Sequence, residues 1–110
     1  MRKGRRSLPA YAVAEYSISE RARQKLVEIY ANTELHFGSM QADAYNAGFE
    51  KLFELIASFP GIGRSADEIR PGYRRYRHQA HYIFYTLGKD HVLIETILHA
   101  AQDLRPELFD

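Results

Sequence analysis

The chain has 110 residues, of which 45% are hydrophobic and 26% are charged, and its formal net charge at pH 7 is +1. This length suits one domain with its own core, and the balance of apolar and charged residues argues against wholesale disorder. The small net charge gives no chain-wide case for nucleic-acid binding. The absence of cysteine excludes disulfides, thiolate zinc sites and cysteine nucleophiles.

Residues 1–12 form a basic tail, with four Lys or Arg among the first six positions, and we expect residues 13–110 to form a single domain. The start imitates a secretory signal, but its apolar run at residues 8–14 is too short to supply both a hydrophobic region and a cleavage site, and Glu15 interrupts it. No run of residues has the length and apolarity needed to cross a bilayer. We therefore expect a cytoplasmic protein with no membrane partner.

The first part of the chain predicts a strand followed by two helices. Residues 12–17 are compatible with a strand, and Ser19 follows as a candidate helix N-cap. Apolar residues then recur at steps of three and four, once from Glu20 up to Gly38 and again after it. Two such helices, joined by a short linker, should pack as an antiparallel hairpin. The predicted apolar positions are Ala22, Leu26, Ile29, Tyr30, Thr33 and Phe37 in the first helix and Ala42, Tyr45, Phe49, Leu52, Ile56 and Phe59 in the second.

The pattern changes at residues 59–63, where proline and two glycines end the second helix. We expect a loop up to Gly72, with one helical turn at residues 65–69. Three β-rich segments follow, at residues 73–78, His81–Leu87 and His91–His99, and their hairpin-length connections predict an antiparallel meander. Residues 102–110 are expected to form a short turn or a frayed helix.

The element order β-α-α-β-β-β predicts an α+β, two-layer domain, in which the helical hairpin covers one face of the sheet. Alternation in the strand at residues 73–78 places Arg75 and Arg77 on one face with Tyr73, and Arg74, Tyr76 and His78 on the other. The face away from the helices is expected to be open. An open face that carries arginines and tyrosines is where we expect a partner to bind.

Arginine is concentrated between residues 64 and 77, at Arg64, Arg70, Arg74, Arg75 and Arg77. The nearby acids are Asp67 and Glu68, and a local pair of Arg70 with one of them is the structural interpretation for that residue. For the whole set we favour a contact surface, because the guanidinium group binds carboxylates and phosphates in a bidentate way.

The histidines predict no metal site, since the spacing of His78, His81 and His99 matches no zinc pattern. His99 and Asp103, four residues apart, fit either a general base held by a carboxylate or a local structural pair, and we favour the structural pair. The chain also lacks a phosphate-binding loop and a nucleotide fingerprint, so no cofactor is expected.

Four motifs occur in order: P-x-I-G-R at residues 60–64, D-E-I-R-x-G-Y-R at 67–74, H-x-I-F-Y at 81–85 and I-L-H-x-x-x-D at 97–103. With the preceding helical hairpin, they make the chain resemble the ParE branch of the RelE/ParE toxin superfamily over residues 16–108. The resemblance implies a RelE/ParE-like toxin of a type II toxin-antitoxin system that binds and inhibits DNA gyrase. It also implies neutralisation by a ParD-type antitoxin, a ribbon-helix-helix protein with a wrapping C-terminal segment, which alone would contact DNA.

Two alternatives accompany that interpretation. Members of the RelE branch cleave messenger RNA on the ribosome, and a ribonuclease of that kind would use Arg74, Arg75, Arg77, His81 and His99. We favour the binding toxin, because no tyrosine follows His99 and a RelE-like lysine cluster is absent. The second alternative is a non-toxic scaffold for the antitoxin. The candidate partner-binding residues are Arg70, Arg74, Arg75, Arg77, His81 and His99.

The chain departs from the family pattern at two positions. Thr96 stands where the family commonly has arginine, and Gln102 stands where methionine is frequent. We expect Thr96 to remove a cation from the open face and so to weaken toxicity or the antitoxin contact there.

Overall fold

The structure is a computed structural model, and it describes residues 15–110. The elements in chain order are β1 (Glu15–Ile18), α1 (Glu20–Phe37), α2 (Ser39–Ser58), β2 (Arg64–Ser65), β3 (Arg74–His78), β4 (His81–Leu87) and β5 (His91–His99), with two short 3₁₀-helices at Pro60–Ile62 and Pro106–Phe109. The strands pair in the order β1-β5-β4-β3-β2, with β1 parallel to β5 and the other pairs antiparallel. This confirms the predicted α+β fold.

The strand predictions differ from the structure mainly at the sheet edges. The bounds of β4 and β5 are those predicted, and β3 begins one residue later. The first strand extends to Ile18, and the predicted positions 12–14 lie outside the described residues. The two-residue strand β2 was not predicted, because two residues are too few to show an alternating pattern. The helical turn expected at residues 65–69 is instead a hydrogen-bonded turn in which Ala66 O accepts from Ile69 N at 2.9 Å.

The caps of α1 are those that the sequence predicts. Ser19 is extended, with φ −64° and ψ 162°, and its hydroxyl accepts a hydrogen bond from Ala22 N at 2.9 Å. Gly38 has φ +91°, a conformation that side chains disfavour, and its N–H donates to Glu34 O at 2.9 Å. The chain therefore turns sharply at this glycine and continues into α2.

The core between the helices and the sheet is largely aromatic. Phe49 and Phe53 of α2 are 1% and 0% exposed, and they pack with Tyr16, Ile83 and Tyr85 of the sheet. The helical spacing had missed Phe53. It had also placed Phe37 and Phe59 on the apolar faces, whereas both lie at helix ends and are 71% and 60% exposed.

The sheet face away from the helices is not fully open, so that expectation is wrong in part. Phe84, Leu98 and Phe109 form a second core on this face with Ala66 and Ile69. The ring of Phe109 lies edge-on to Phe84, with centroids 4.8 Å apart. The turn after β2 and the C-terminal 3₁₀-helix therefore cover one half of the outer face and leave the half near β2 and β3 exposed.

Among residues 15–110, no helix has the length and apolarity that a membrane span requires.

Candidate functional site

The side chains of β3 alternate between the two faces of the sheet as predicted. Tyr76 packs against the helix-side core, and the ring of His78 stacks on Tyr45 of α2. Arg75 and Arg77 lie on the opposite face, beside Tyr82 of β4. A single strand thus presents aromatic and imidazole rings to the core and guanidinium groups to the outside.

The outer guanidinium groups lie around one aromatic ring. The Cζ atoms of Arg75 and Arg77 are each 5.5 Å from the centroid of Tyr82, which is within range of a cation–π contact. Arg64 on β2 lies directly opposite Arg75 on β3, so a third cation joins the same row. We call Arg64, Arg75, Arg77 and Tyr82 the arginine surface.

The charges on the arginine surface are only partly compensated. Arg75 Nη2 lies 3.5 Å from Glu68 Oε2, and Arg77 Nε donates to Gln79 O at 2.7 Å. Like charges directly opposite each other in a sheet repel, which makes the pair of Arg64 and Arg75 unfavourable unless an anion lies nearby. The same residues line a surface pocket of about 490 Å³. The surface can therefore bind carboxylate or phosphate groups in a bidentate way.

Arg74 and Arg70 were predicted to join this surface, but the structure places them elsewhere. Arg74 Nη2 donates to the carbonyl oxygens of Gly63 at 2.6 Å and Gly61 at 3.3 Å, and so fixes the loop after α2. Arg70 forms an ion pair with Asp110 and donates to Pro106 O at 3.4 Å. Both guanidinium groups therefore hold neighbouring segments in place.

The local pair predicted for Arg70 is wrong. Glu68 pairs with Arg75, and Asp67 Oδ1 accepts a hydrogen bond from Gly72 N at 2.7 Å, which closes the turn. Arg70 instead pairs with Asp110, an acid that is distant in the sequence.

His81 lies on the helix side of the sheet, away from the arginine surface. Its Nδ1 is 2.8 Å from the hydroxyl of Tyr45, and its ring centroid is 5.1 Å from that of His99. Burial is the main cause that lowers the pKa of His81 to about 4, and the neighbouring His99 and His78 add to it. His81 is therefore an uncharged imidazole at pH 7. The two histidines line a groove of about 400 Å³ between the helices and the β3–β4 turn.

The expected pair of His99 and Asp103 is not formed. His99 Nδ1 accepts a hydrogen bond from Ala101 N at 3.0 Å, and the carboxylate of Asp103 lies 3.7 Å from Arg105 Nε. Gln102 Oε1 accepts from His99 N at 3.2 Å. The loop after β5 is thus closed by local hydrogen bonds.

The ribonuclease candidates do not converge on one site. The side chains of Arg75 and Arg77 lie on the outer face, whereas those of His81 and His99 lie on the helix side. A general base and the cations around a reacting phosphate would have to reach the same few ångströms. In the part of the chain that the structure describes, no group of three or more histidines and carboxylates could hold a metal ion.

Thr96 is not on an open face, so its expected position is wrong, and its effect on toxicity and on the antitoxin contact stays a prediction. It is 1% exposed, directly opposite Phe84, and its Oγ1 has no hydrogen-bond partner among residues 15–110. An arginine at this position would have to fit where the second core is packed.

Two members of the arginine surface, Arg64 and Tyr82, are not among the candidate partner-binding residues predicted from the sequence, although Arg64 belongs to the predicted arginine cluster. The two-residue connection between β3 and β4 sets a register in which Tyr82 lies directly opposite Arg77. That register could have been used to place a tyrosine beside the two outward arginines.

A solved structure titled "Chromosomal ParDE TA system from P. aeruginosa" has the same fold. It superposes with a TM-score of 0.70 at 13% sequence identity, over 82% of this chain and 98% of that chain.

Sequence comparison identifies the family. Residues 16–104 match the model of the ParE toxin of the type II toxin-antitoxin system parDE. Toxin ParE1 of Caulobacter vibrioides is 34% identical over 93 residues, which cover 84% of this chain and 96% of that protein. Toxin ParE1 of Mycobacterium tuberculosis is 34% identical over 92 residues, which cover 83% and 94%. The chain belongs to the ParE toxin family of type II toxin-antitoxin systems.

Proposed function

We propose that this toxin acts by binding DNA gyrase in the cytoplasm and that a ParD-type antitoxin neutralises it by covering the arginine surface. The observation that supports this proposal is the row of Arg64, Arg75 and Arg77 around Tyr82, with Glu68 as a carboxylate already paired to it. An acidic segment of the antitoxin would supply the missing anions. The antitoxin would also make the contact with DNA.

The hydrogen-bond donors that remain on Arg77 favour carboxylates as the groups that bind this surface. The Nε of Arg77 is occupied by Gln79 O, which leaves the terminal nitrogens for a partner. A guanidinium group in this state can present two parallel N–H donors to one carboxylate. The apolar ring of Tyr82 between the two arginines would be covered at the same time, which excludes water from the ion pairs.

Binding is favoured over catalysis because the candidate groups are divided by the sheet. His81 and His99 are on the helix side, and the outer arginines are on the other. A surface of this kind recognises a partner, and nothing in its geometry supplies a base and an acid to one bond.

The antitoxin contact is tested by charge reversal. We expect the double variant Arg75→Glu and Arg77→Glu to weaken antitoxin binding by at least tenfold, or about 1.4 kcal/mol, and to reduce its salt dependence. Lys89→Glu in the exposed β4–β5 turn makes a matched control, which should bind as the wild type does. Isothermal titration calorimetry at two salt concentrations provides the measurement. An unchanged affinity of the double variant would refute this placement of the antitoxin.

The target is tested separately. The purified toxin is added to a gyrase supercoiling assay and, in parallel, to an in vitro translation reaction in which messenger RNA is followed by primer extension. Loss of supercoiling with intact RNA supports the proposal, and cleaved RNA with unaffected gyrase contradicts it. Harmless expression of the chain without an antitoxin would point instead to the non-toxic scaffold.

A further inference from the structure

Three histidines occupy directly opposite positions on three neighbouring strands. His78 on β3 pairs in register with His81 on β4, and His81 pairs with His99 on β5. We call these residues the histidine row. Residues that face each other across adjacent strands are close enough for like charges to repel. Protonation of the row would therefore gather positive charge at one end of the sheet.

Tyr45 of α2 connects the histidine row to the helices. Its ring stacks on that of His78, with centroids 4.9 Å apart and planes 18° apart. Its hydroxyl lies 2.8 Å from His81 Nδ1 and donates to His78 O at 3.2 Å. Tyr45 thus contacts both strands of the β3–β4 hairpin, and Phe49 of α2 also lies edge-on to His78 and His81, with centroids 4.8 Å and 6.0 Å apart.

The environment of His78 favours the uncharged ring. Its Nε2 is buried and has no hydrogen-bond partner among residues 15–110. The backbone of α2 approaches this atom closely, since a Cβ added at Gly48 would lie 2.9 Å from it. Burial disfavours a proton on this ring and lowers the pKa of His78, whereas a hydrogen bond with the backbone of Tyr45 raises it. That hydrogen bond and cation–π attraction to the Tyr45 ring offset only part of the effect of burial.

Other charged and titratable groups face the row from each packed element. From α1, Glu28 lines the same groove. Burial raises the pKa of Tyr45, and a hydrogen bond with the backbone of Ala80 and the charge of Arg77 on β3 lower it. Burial, followed by the charges of His99 and His78, lowers the pKa of His81 to about 4. Burial thus keeps His78 and His81 uncharged at neutral pH.

The turn that joins β3 to β4 borders the groove beside the histidine row. Gln79 has φ +50°, a conformation uncommon for residues other than glycine. Gln79, His81, His99 and Tyr45 all line the groove of about 400 Å³ between the turn and the helices. Displacement of the turn would therefore change the width of this groove.

We propose that the histidine row is a proton-sensitive contact, which holds the β3–β4 turn against α2 when it is uncharged and releases the turn when it is protonated. Acid then widens the groove beside Tyr45, and the rest of the sheet stays paired.

The experiment is an NMR titration of the full chain from about pH 8 to about pH 3.5, a range that extends below the pKa of about 4 of His81. The ring resonances report protonation of each histidine, and amide hydrogen exchange, corrected for its intrinsic pH dependence, reports the turn. We expect the amides of His81, in the hairpin pair with His78, and of Ala100, which donates to Ala80 O at 2.7 Å, to lose protection by about tenfold or more as His78 and His81 become protonated. The amides of α1 and α2 should remain protected. His36, on the exposed surface of α1, serves as the internal control, because its ring bonds within α1, to Asn32 O at 2.9 Å.

Two variants sharpen the test. His78→Phe keeps a ring on Tyr45 that takes up no proton, and it should keep the turn protected in acid. Tyr45→Phe removes the hydroxyl bonds to the hairpin, and it should lower the protection of the turn already at neutral pH. Protonation of His78 and His81 without loss of protection at the amides of His81 and Ala100 would overturn the proposal, as would a loss of protection spread evenly over the chain. The wild-type titration decides the question even if neither variant folds.

Discussion

The hydroxyl of Tyr85 accepts a hydrogen bond from the backbone N–H of Gly63 at 2.9 Å and donates one to Pro60 O at 2.7 Å. This buried side chain of β4 therefore anchors both ends of the loop that joins α2 to β2. Arg74 adds two more bonds to the same loop, at Gly61 O and Gly63 O. The loop in turn places Arg64 beside Arg75 at the edge of the sheet. The position of the arginine surface thus depends on a hydroxyl group in the helix-side core.

The first prediction concerns the space at Gly63. A Cβ added there would lie 2.4 Å from the Tyr85 hydroxyl and 2.8 Å from Arg75 O, so Gly63→Ala must displace one of them. We expect a loss of about 1–3 kcal/mol in the free energy of unfolding, measured by urea denaturation. Gly61→Ala is the matched control, because a Cβ at that position meets nothing within 4 Å. Equal stability of the two variants would show that the loop accommodates the methyl group freely.

The regular elements of the fold follow from local spacing, and several contacts of the site do not. The helices, β4 and β5 have long periodic patterns, and alternation alone assigns the faces of Arg74 and Arg75 correctly. The partner of Arg70 is Asp110, 40 residues away, and no local pattern encodes that distance. Similarly, coverage of the outer face depends on the packing of Phe109 against Phe84, which follows from the path of the C-terminal segment.

The arrangement of the histidine row can be derived from the sequence only in part. The two-residue connection of β3 and β4 fixes His78 opposite His81, and this register can be derived from the sequence. The alignment of His81 with His99 depends also on the irregularity between Phe84 and Tyr85, which shifts the register of β4 and β5. A sequence pattern gives no sign of that shift, so the three-histidine arrangement becomes visible only in the structure.

The second prediction concerns two threonines of the sheet that differ in their hydrogen bonds. Thr96 Oγ1 is buried and has no partner among residues 15–110, whereas Thr86 Oγ1 donates to Glu95 Oε2 at 2.8 Å. We expect Thr96→Val to leave the free energy of unfolding unchanged or to raise it by about 1 kcal/mol, because an isosteric methyl group replaces an unsatisfied hydroxyl. Thr86→Val should lower it by about 1 kcal/mol, since it breaks a hydrogen bond to a charged group.

Thermal and urea denaturation of the two valine variants, each against the wild type, supply this comparison. The informative result is which of the two variants has the lower free energy of unfolding. A larger loss of stability in Thr96→Val than in Thr86→Val would mean that the Thr96 hydroxyl is hydrogen-bonded in solution.

The third prediction is the pH dependence of stability. The pKa of His78 lies below the ordinary value of 6.5, and that of His81 is lowered to about 4. The unfolded chain therefore binds more protons than the folded chain between these values, so the free energy of unfolding rises with pH through this window. The stability that the two neutral rings provide is complete above about pH 6.5 and is lost as the pH falls toward about 4. Because His81 is only half-buried, the change is smaller than for a fully buried imidazole.

Urea denaturation between about pH 7.5 and about pH 4.5 measures this dependence, and variants separate it from the titration of carboxylates. His81→Gln retains a polar group near Tyr45 and carries no titrating proton, so its free energy of unfolding should fall less steeply with acid than that of the wild type. His36→Gln is the control, because His36 is exposed on α1 and its ring bonds only locally, to Asn32 O at 2.9 Å. A His81→Gln variant with the same slope as the wild type would show that burial of His81 does not couple proton uptake to folding.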